Sequence, residues 1–313
     1  MRLLTSATVL AVLLLPPAHA FADLPAFLTT WGHVGTATGE FQEAHGLAVG
    51  PDHSVYVADT FNARVQKFTA AGAFVTQWAD VDPGGVAVSA GGDVYVVGNS
   101  AVRRYTADGT FVSAWGTPGS GDGQFSFPLD VAVDASGFVY VADWQNHRVQ
   151  KFSAAGAFVT KWGSQGTADG QFDGPASIAV SATGAVYVSE LTNNRVQEFT
   201  LDGVFVTKWG SAGAGPAQFD FPTGIAVDAD GFVLVADSGN QRVQVFRSDG
   251  SFVLEFGTFG SGDGQFHNPT ALDADDTGTL FVLDKDNARI EKFAAVATPV
   301  RRASWGALKK TWR

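Results

Sequence analysis

Six phenylalanines, Phe27, Phe74, Phe111, Phe158, Phe205 and Phe252, each open a short apolar run and stand 47, 37, 47, 47 and 47 residues apart. A fixed period of this size restricts a chain to a solenoid, a propeller or an array of like units. Inside each unit apolar residues recur every second position rather than every 3.6, so the units are made of strands. Residues 175–210 illustrate the pattern. Ser177 to Val180 reads as a first strand and Val186 to Val188 as a second. Arg195 to Phe199 is a third and Phe205 to Trp209 a fourth, with turns at Ala182-Thr183-Gly184 and Leu201-Asp202-Gly203. Four short antiparallel strands per unit make a propeller blade. No blade has a core of its own, so the apolar faces must be buried between successive blades.

The expected fold is therefore all-β, a six-bladed β-propeller of four-stranded antiparallel blades over residues 21–298. The 37 glycines suit its many tight turns. Cys is absent, which excludes disulfides and thiolate zinc sites. Residues 1–20 read as a signal peptide: Arg2 is the positive start, Thr8 to Leu15 the apolar core, and Ala18-His19-Ala20 a small-x-small cleavage site. That apolar run is too short to span a bilayer. The expectation is an exported protein, periplasmic, cell-surface or extracellular, with no transmembrane segment in the mature chain. Up to residue 300 the chain carries 31 acidic side chains against 14 basic ones after Arg2, a balance of about −17. A body so acidic repels phosphate backbones, so nucleic acid is not an expected partner.

Three recurring motifs carry a resemblance to a known family. They are Pro222 to Asp228 (Pro-x-Gly-Ile-Ala-Val-Asp), Val139 to Asp143 (Val-Tyr-Val-Ala-Asp) and Asn146 to Gln150 (Asn-x-Arg-Val-Gln). With their copies over residues 27–293 they resemble the NHL repeat. The resemblance implies a six-bladed propeller and leaves function open, because functions within such a fold differ. Ring closure follows from the ends. Phe27 to Trp31 is a fourth strand with no first three before it, and the last unit, residues 271–293, lacks an obvious fourth. The N-terminal strand is expected to complete the last blade and remove its open edge. Ala303 to Gly306 is the rival, on a spacing two residues too long.

Repetition also separates scaffold from site. Asp-x-x-Asn-x-Arg occurs at Asp59/Asn62/Arg64, Asp143/Asn146/Arg148, Asp237/Asn240/Arg242 and Asp284/Asn287/Arg289, with Glu190 leading a fifth copy at Asn193/Arg195. Five copies around a ring predict a local device, Asp pairing with Arg across the hairpin or to the next blade. The Gly-rich loops 119–125 and 260–266 each offer one carboxylate where calcium needs six to eight oxygens, and they have no Walker lysine. They read as connectors whose Phe points inward. No Gly-x-Ser-x-Gly elbow is present.

Some propellers similar to this family are zinc lyases that use several channel-facing histidines, and here His33, His45, His147 and His267 are expected on one face and His53 on the other. His33, His45 and His267 come from neighbouring connectors and form the alternative site, a metal-dependent lyase or hydrolase at the channel mouth. The main expectation comes from the second repeat, which is ten residues short. Eight are missing from its connector (Trp78 to Gly85) and two from the loop Gly98-Asn99-Ser100-Ala101. Both losses fall on the same face and predict a notch over blade two. Phe61 and Trp144 occupy variable positions on the flanking blades. They either anchor a ligand or fold down into the vacated space. The functional expectation is a non-enzymatic binding or scaffold module, a monomeric propeller without cofactor. Its ligand is a peptide, glycan or protein held by Phe61, Asn99, Trp144 and His147. The tail at 299–313 adds five basic residues with Trp305 and Trp312, suited to the acidic body, an anionic surface or a sorting role.

Overall fold

A computed structural model describes residues 24–296. The expected signal peptide, the basic tail and the rival strand near Trp305 lie outside the described residues. Six four-stranded antiparallel sheets surround a central channel. In blade three the strands are Pro128–Val133, Val139–Asp143, Arg148–Phe152 and Phe158–Trp162. Blade four runs Pro175–Val180, Ala185–Glu190, Arg195–Thr200 and Phe205–Trp209, one to three residues longer than the sequence pattern suggests in its first three strands. First strands line the channel and contact those of the neighbouring blades all the way round.

The N-terminal strand, Phe27–Trp31, pairs antiparallel with Arg289–Phe293 and completes blade six. Ala294 N–H donates to the Ala26 carbonyl at 2.8 Å, so the two ends of the ring are laced directly together.

Each apolar core lies between two blades, as the alternation demands. Ala48, Tyr56 and Val65 of blade one pack with Val86, Val94 and Tyr105 of blade two. The tryptophan ending a fourth strand reaches the next blade's outer turn. A Cβ on Gly72 would sit 2.7 Å from the Trp31 ring, so only glycine admits the indole there. The buried connector phenylalanines, Phe41, Phe125, Phe172, Phe219 and Phe266, stand against the third-strand aromatics, as the sequence predicts.

The repeated Asp/Asn/Arg device is a clamp on the connectors. In blade three, Arg148 donates from Nε to Asp143 at 2.8 Å, from Nη1 to Ser120 O at 2.7 Å, and from Nη2 to Gly121 O and Gln124 O at 2.8 and 2.7 Å. Asn146 donates to Asp143 and to Gly119 O. Asp143 is fully buried and also accepts from Ser126 N–H. A connector held otherwise by the short parallel pairing of Thr117–Pro118 with Gln124–Phe125 thereby has three carbonyls bonded by one planar guanidinium. Blade two, without the device, builds a substitute. Arg103 pairs with buried Asp80 at 2.5 Å, and the Tyr105 hydroxyl donates to the same carboxylate at 2.6 Å.

Candidate functional site

That substitute decides what the short repeat does to the surface. Tyr105 stands where other blades have phenylalanine, and its hydroxyl with Asp80 and Arg103 occupies the space beneath the shortened connector. Above it the chain turns in two residues: Asn99 and Ser100 both have positive φ, 48° and 58°, as a tight hairpin of strands Val94–Gly98 and Ala101–Tyr105 requires. Blades one, three and five place a short 3-10 turn at this position. The rim is therefore low at blade two.

A cavity of about 870 Å³ opens at this face and runs into the channel, lined by first strands from all six blades. Phe61, Asn99, Phe127 and Trp144 stand at its mouth with His45 and Lys285. Phe61 is 66% exposed and Phe127 62% exposed, so neither ring fills the vacated space. Phe127 has φ 49°, a left-handed backbone costing an L-residue roughly 1–2 kcal/mol. The corresponding residues of the other blades, Glu43, Asp82, Gly174, Phe221 and Asn268, also have positive φ, so the first strand is entered everywhere through a left-handed residue. Glycine or asparagine would serve there at less cost. Phe221 of blade five has the same conformation and is 59% exposed, so the backbone belongs to the repeat; what sets Phe127 apart is its place in the lining of the mouth.

Trp144 is half-buried. It meets Phe127 edge to face at 6.4 Å and leans over Gly174, where an added Cβ would lie 3.0 Å from its Nε1. It turns toward blade four, away from the low blade two that the sequence pattern suggested it faces. The loops lean this way because each reaches onto the following blade, as Thr60 does in donating to Pro83 O at 2.7 Å. His147 lies outside the lining of the mouth. Its Nδ1 faces Gly174 N–H at 3.4 Å, and the corresponding Asn194 and Gln241 side chains accept from Phe221 and Asn268 N–H. It therefore belongs to the scaffold, holding the left-handed residue of the next blade.

The three remaining histidines of that face are not brought together. His33 Nε2 lies 3.0 Å from Glu40, and His267 Nε2 lies 3.6 Å from Asp286. His45 Nδ1 donates to Thr60 Oγ1 at 2.9 Å, whose own proton goes to Pro83. Surrounding protein, then the Lys285 charge, hold His45 below the usual imidazole range, although water in the mouth reaches its ring. It is neutral at pH 7, with Nε2 left as an acceptor. Among the described residues the one His/carboxylate group close enough to share an ion is His53, Asp275 and Asp276, on the opposite face.

Two lumen residues escape a reading confined to the loops. Blades one, two and five place Gly46, Gly85 and Gly224 at the point where first strands touch; a Cβ on Gly46 would lie 2.3 Å from Gly84 O. Blade three has Asp130 at this point and blade four Ser177. Asp130 Oδ2 accepts from Ser177 Oγ at 2.5 Å and Ile178 N–H at 3.0 Å, while Oδ1 accepts from Val131 N–H. Two positions further along the strand, where the other blades have alanine, blade six has Asp273. It accepts from Val49 N–H and Ala274 N–H at 2.8 Å. Blades three and six stand opposite each other in the ring, so both carboxylates look into one lumen. Desolvation in the channel pushes each carboxyl up to about 6, and the charge of Asp130 adds to the rise at Asp273. Both are departures from the repeat, and that is the signal by which the sequence could have disclosed them.

Comparison with known proteins agrees with the fold. Residues 41–68, 125–152 and 219–246 match the NHL repeat. No protein of curated function matches the sequence. Among solved structures, a protein of unknown function from Bacteroides thetaiotaomicron is similar with TM-score 0.70 and 20% identity, covering 87% of this chain and 76% of that one. A gluconolactonase from Xanthomonas campestris gives TM-score 0.61 at 18% identity, covering 87% and 98%. Virginiamycin B lyase from Staphylococcus aureus gives 0.57 at 15%, covering 84% and 88%. Identities this low establish the shared fold alone. No helix among the described residues is long and apolar enough to cross a membrane.

Proposed function

Because the chain is a six-bladed propeller carrying NHL repeats, we propose that it is an exported recognition module that binds a peptide segment at the channel mouth. The observation that carries this reading is the pair of exposed rings, Phe61 and Phe127, beside Trp144 at the edge of the cavity. Rigid aromatic anchors around a concavity supply most of the binding energy in small interfaces. The floor names the chemistry of what enters. Asp130 and Asp273 present negative charge to a confined lumen, where a Lys or Arg side chain of the peptide would be held. Asn99 and the free Nε2 of His45 add polar contacts at the rim. Dispersal of His33, His45 and His267 supports binding over metal-dependent lyase or hydrolase chemistry.

The test uses a tripeptide with Lys between two aromatic residues, titrated into the purified protein by calorimetry. Phe61→Ala and Phe127→Ala are each expected to weaken binding about tenfold, at roughly 1–2 kcal/mol per anchor. The melting temperature should barely change for Phe61→Ala, because that ring is exposed. Equal affinity for wild type and the double variant would sink the proposal, and preference for an oligosaccharide over the tripeptide would replace the ligand class.

A pH series separates the carboxylates from the rings. Both acids have folded values above the ordinary carboxylate range, so they are protonated below pH 6 and ionised above it. Peptide affinity is expected to rise as pH increases through about 6 and to level off above about 7.5. The stability of the ligand-free protein runs the other way. This contribution is fully present below the unfolded value near 4 and fades as pH rises through 6. Affinity that stays flat between pH 5 and 8 would remove Asp130 and Asp273 from the site.

A further inference from the structure

On the face opposite the mouth, the first turns of blades one and six meet where the two ends of the chain are joined. His53 Nδ1 lies 3.4 Å from Asp275 Oδ2 and 3.6 Å from Asp276 Oδ1, and all three atoms lie within 4.8 Å of one another. One oxygen in this group is set apart by its surroundings. The Asp275 side chain is only 7% exposed. Its Oδ1 accepts from Thr277 N–H, Thr279 N–H and Thr277 Oγ1. Its Oδ2 receives no hydrogen bond and points at His53.

Three blades have an aspartate at this turn, and they differ in what faces it: Asp228 of blade five has Leu234 in the position that could supply a hydroxyl. In blade three the equivalent carboxylate, Asp134, accepts from the Tyr140 hydroxyl at 2.9 Å. Blade six has Phe281 in the tyrosine position, and the hydroxyl is gone. Although the side chain is largely enclosed, this oxygen keeps contact with solvent at the turn, so an ion can reach it. Here the substitution leaves it beside an imidazole nitrogen and a second carboxylate, a donor set of one nitrogen and two oxygens from two blades.

We propose that His53, Asp275 and Asp276 form a zinc site that clips blade one to blade six across the ring closure. The donor set selects the ion, because an imidazole nitrogen suits zinc and is foreign to magnesium and calcium, and the separations permit it. Zinc bonds of about 2.0–2.1 Å to His and carboxylate place tetrahedral ligands roughly 3.3–3.4 Å apart, which the two measured separations nearly meet. Octahedral magnesium at about the same bond length wants neighbours near 3.0 Å, and calcium wants six to eight oxygens. Three protein ligands leave water as the fourth. The two carboxylates balance the ion's charge, and neutral His53 supplies the nitrogen.

The experiment is a titration of the purified chain with Zn²⁺, and with Co²⁺ as a spectroscopic probe. One equivalent of Zn²⁺ should bind and raise the melting temperature. Co²⁺ should give the intense visible absorption of a tetrahedral ion. Ca²⁺ and Mg²⁺ at the same concentration should leave the melting temperature unchanged. His53→Ala and Asp276→Asn alter accessible side chains at the turns, so both variants should fold. Each is expected to lower zinc affinity at least tenfold and abolish the cobalt spectrum. Binding that survives both variants, or a cobalt spectrum of the octahedral type, overturns the site. Failure to bind one equivalent does the same. None of these outcomes bears on peptide binding at the mouth, which lies on the other face.

Discussion

A chain that begins after Trp31 is expected to lose cooperative folding. Without Phe27–Trp31, blade six has three strands, and the third strand, Arg289–Phe293, presents an open edge. Phe27 also leaves its edge-to-face contact with Phe293 at 6.0 Å, and Trp31 leaves Phe68 and Phe281. Both rings are half-buried, so each contributes less than the roughly 3–5 kcal/mol of a fully buried aromatic, and the strand's ladder of hydrogen bonds is lost with them. Together, the open edge and the lost packing are a large fraction of the stability of a typical domain, about 5–15 kcal/mol. Thermal unfolding of chains starting at residue 24 and at residue 33 measures the effect. The sharper control is a circular permutant in which residues 24–31 follow residue 296. Because Ala26 and Ala294 are already hydrogen-bonded, the permutant should recover the stability of the longer chain. A truncated chain as stable as its parent would show that the closing strand is dispensable.

Arg148→Ala is expected to cost about 3–5 kcal/mol, the usual penalty for leaving one member of a buried ion pair behind. Asp143 would keep donors from Ser126, Asn146 and Gln150, but it would hold a full charge with no guanidinium beside it. The Ser120 carbonyl would lose its donor, and those of Gly121 and Gln124 would keep one of two, from Gln124 N–H and Gln150 Nε2. Arg148→Lys should fall between the two, since an ammonium keeps the charge and cannot serve three carbonyls and a carboxylate at once. Urea unfolding of the three proteins checks the order. A cost below about 1 kcal/mol for Arg148→Ala would place this pair with ordinary surface ion pairs and refute its role as a clamp.

These two expectations rest on features that repetition alone made readable. Closure by Phe27–Trp31 follows from counting strands, and the clamp follows from five copies of one polar pattern. The candidate site is legible only in part. The shortening of blade two, with Phe61 and Asn99 at the rim, is visible as a departure from the period. Phe127 is not, because Phe221 stands at the same place in blade five and only the shape of the mouth separates the two. Trp144 and His147 also stand out from the repeat, yet one leans toward blade four and the other holds the next blade's backbone. Each lies in a loop that reaches across a blade boundary. A pattern within one repeat carries no record of its neighbour's geometry.

The sequence by itself determined the strand period, the number of blades and the recurring Asp–Arg pair, and it favoured the N-terminal strand over its rival for closing the ring. It could do so because these depend on alternation and on contacts repeated in every unit. Only the tertiary structure decided that Asp130 and Asp273 share a lumen and that Asp275 Oδ2 has lost its donor beside His53. Those groups lie far apart along the chain, and what they face is set by the closing of the ring rather than by any local preference. Even the notch changed its meaning. Tyr105, Asp80 and Arg103 pack beneath the short repeat, and Phe61 and Phe127 stand exposed at the mouth rather than folded into it.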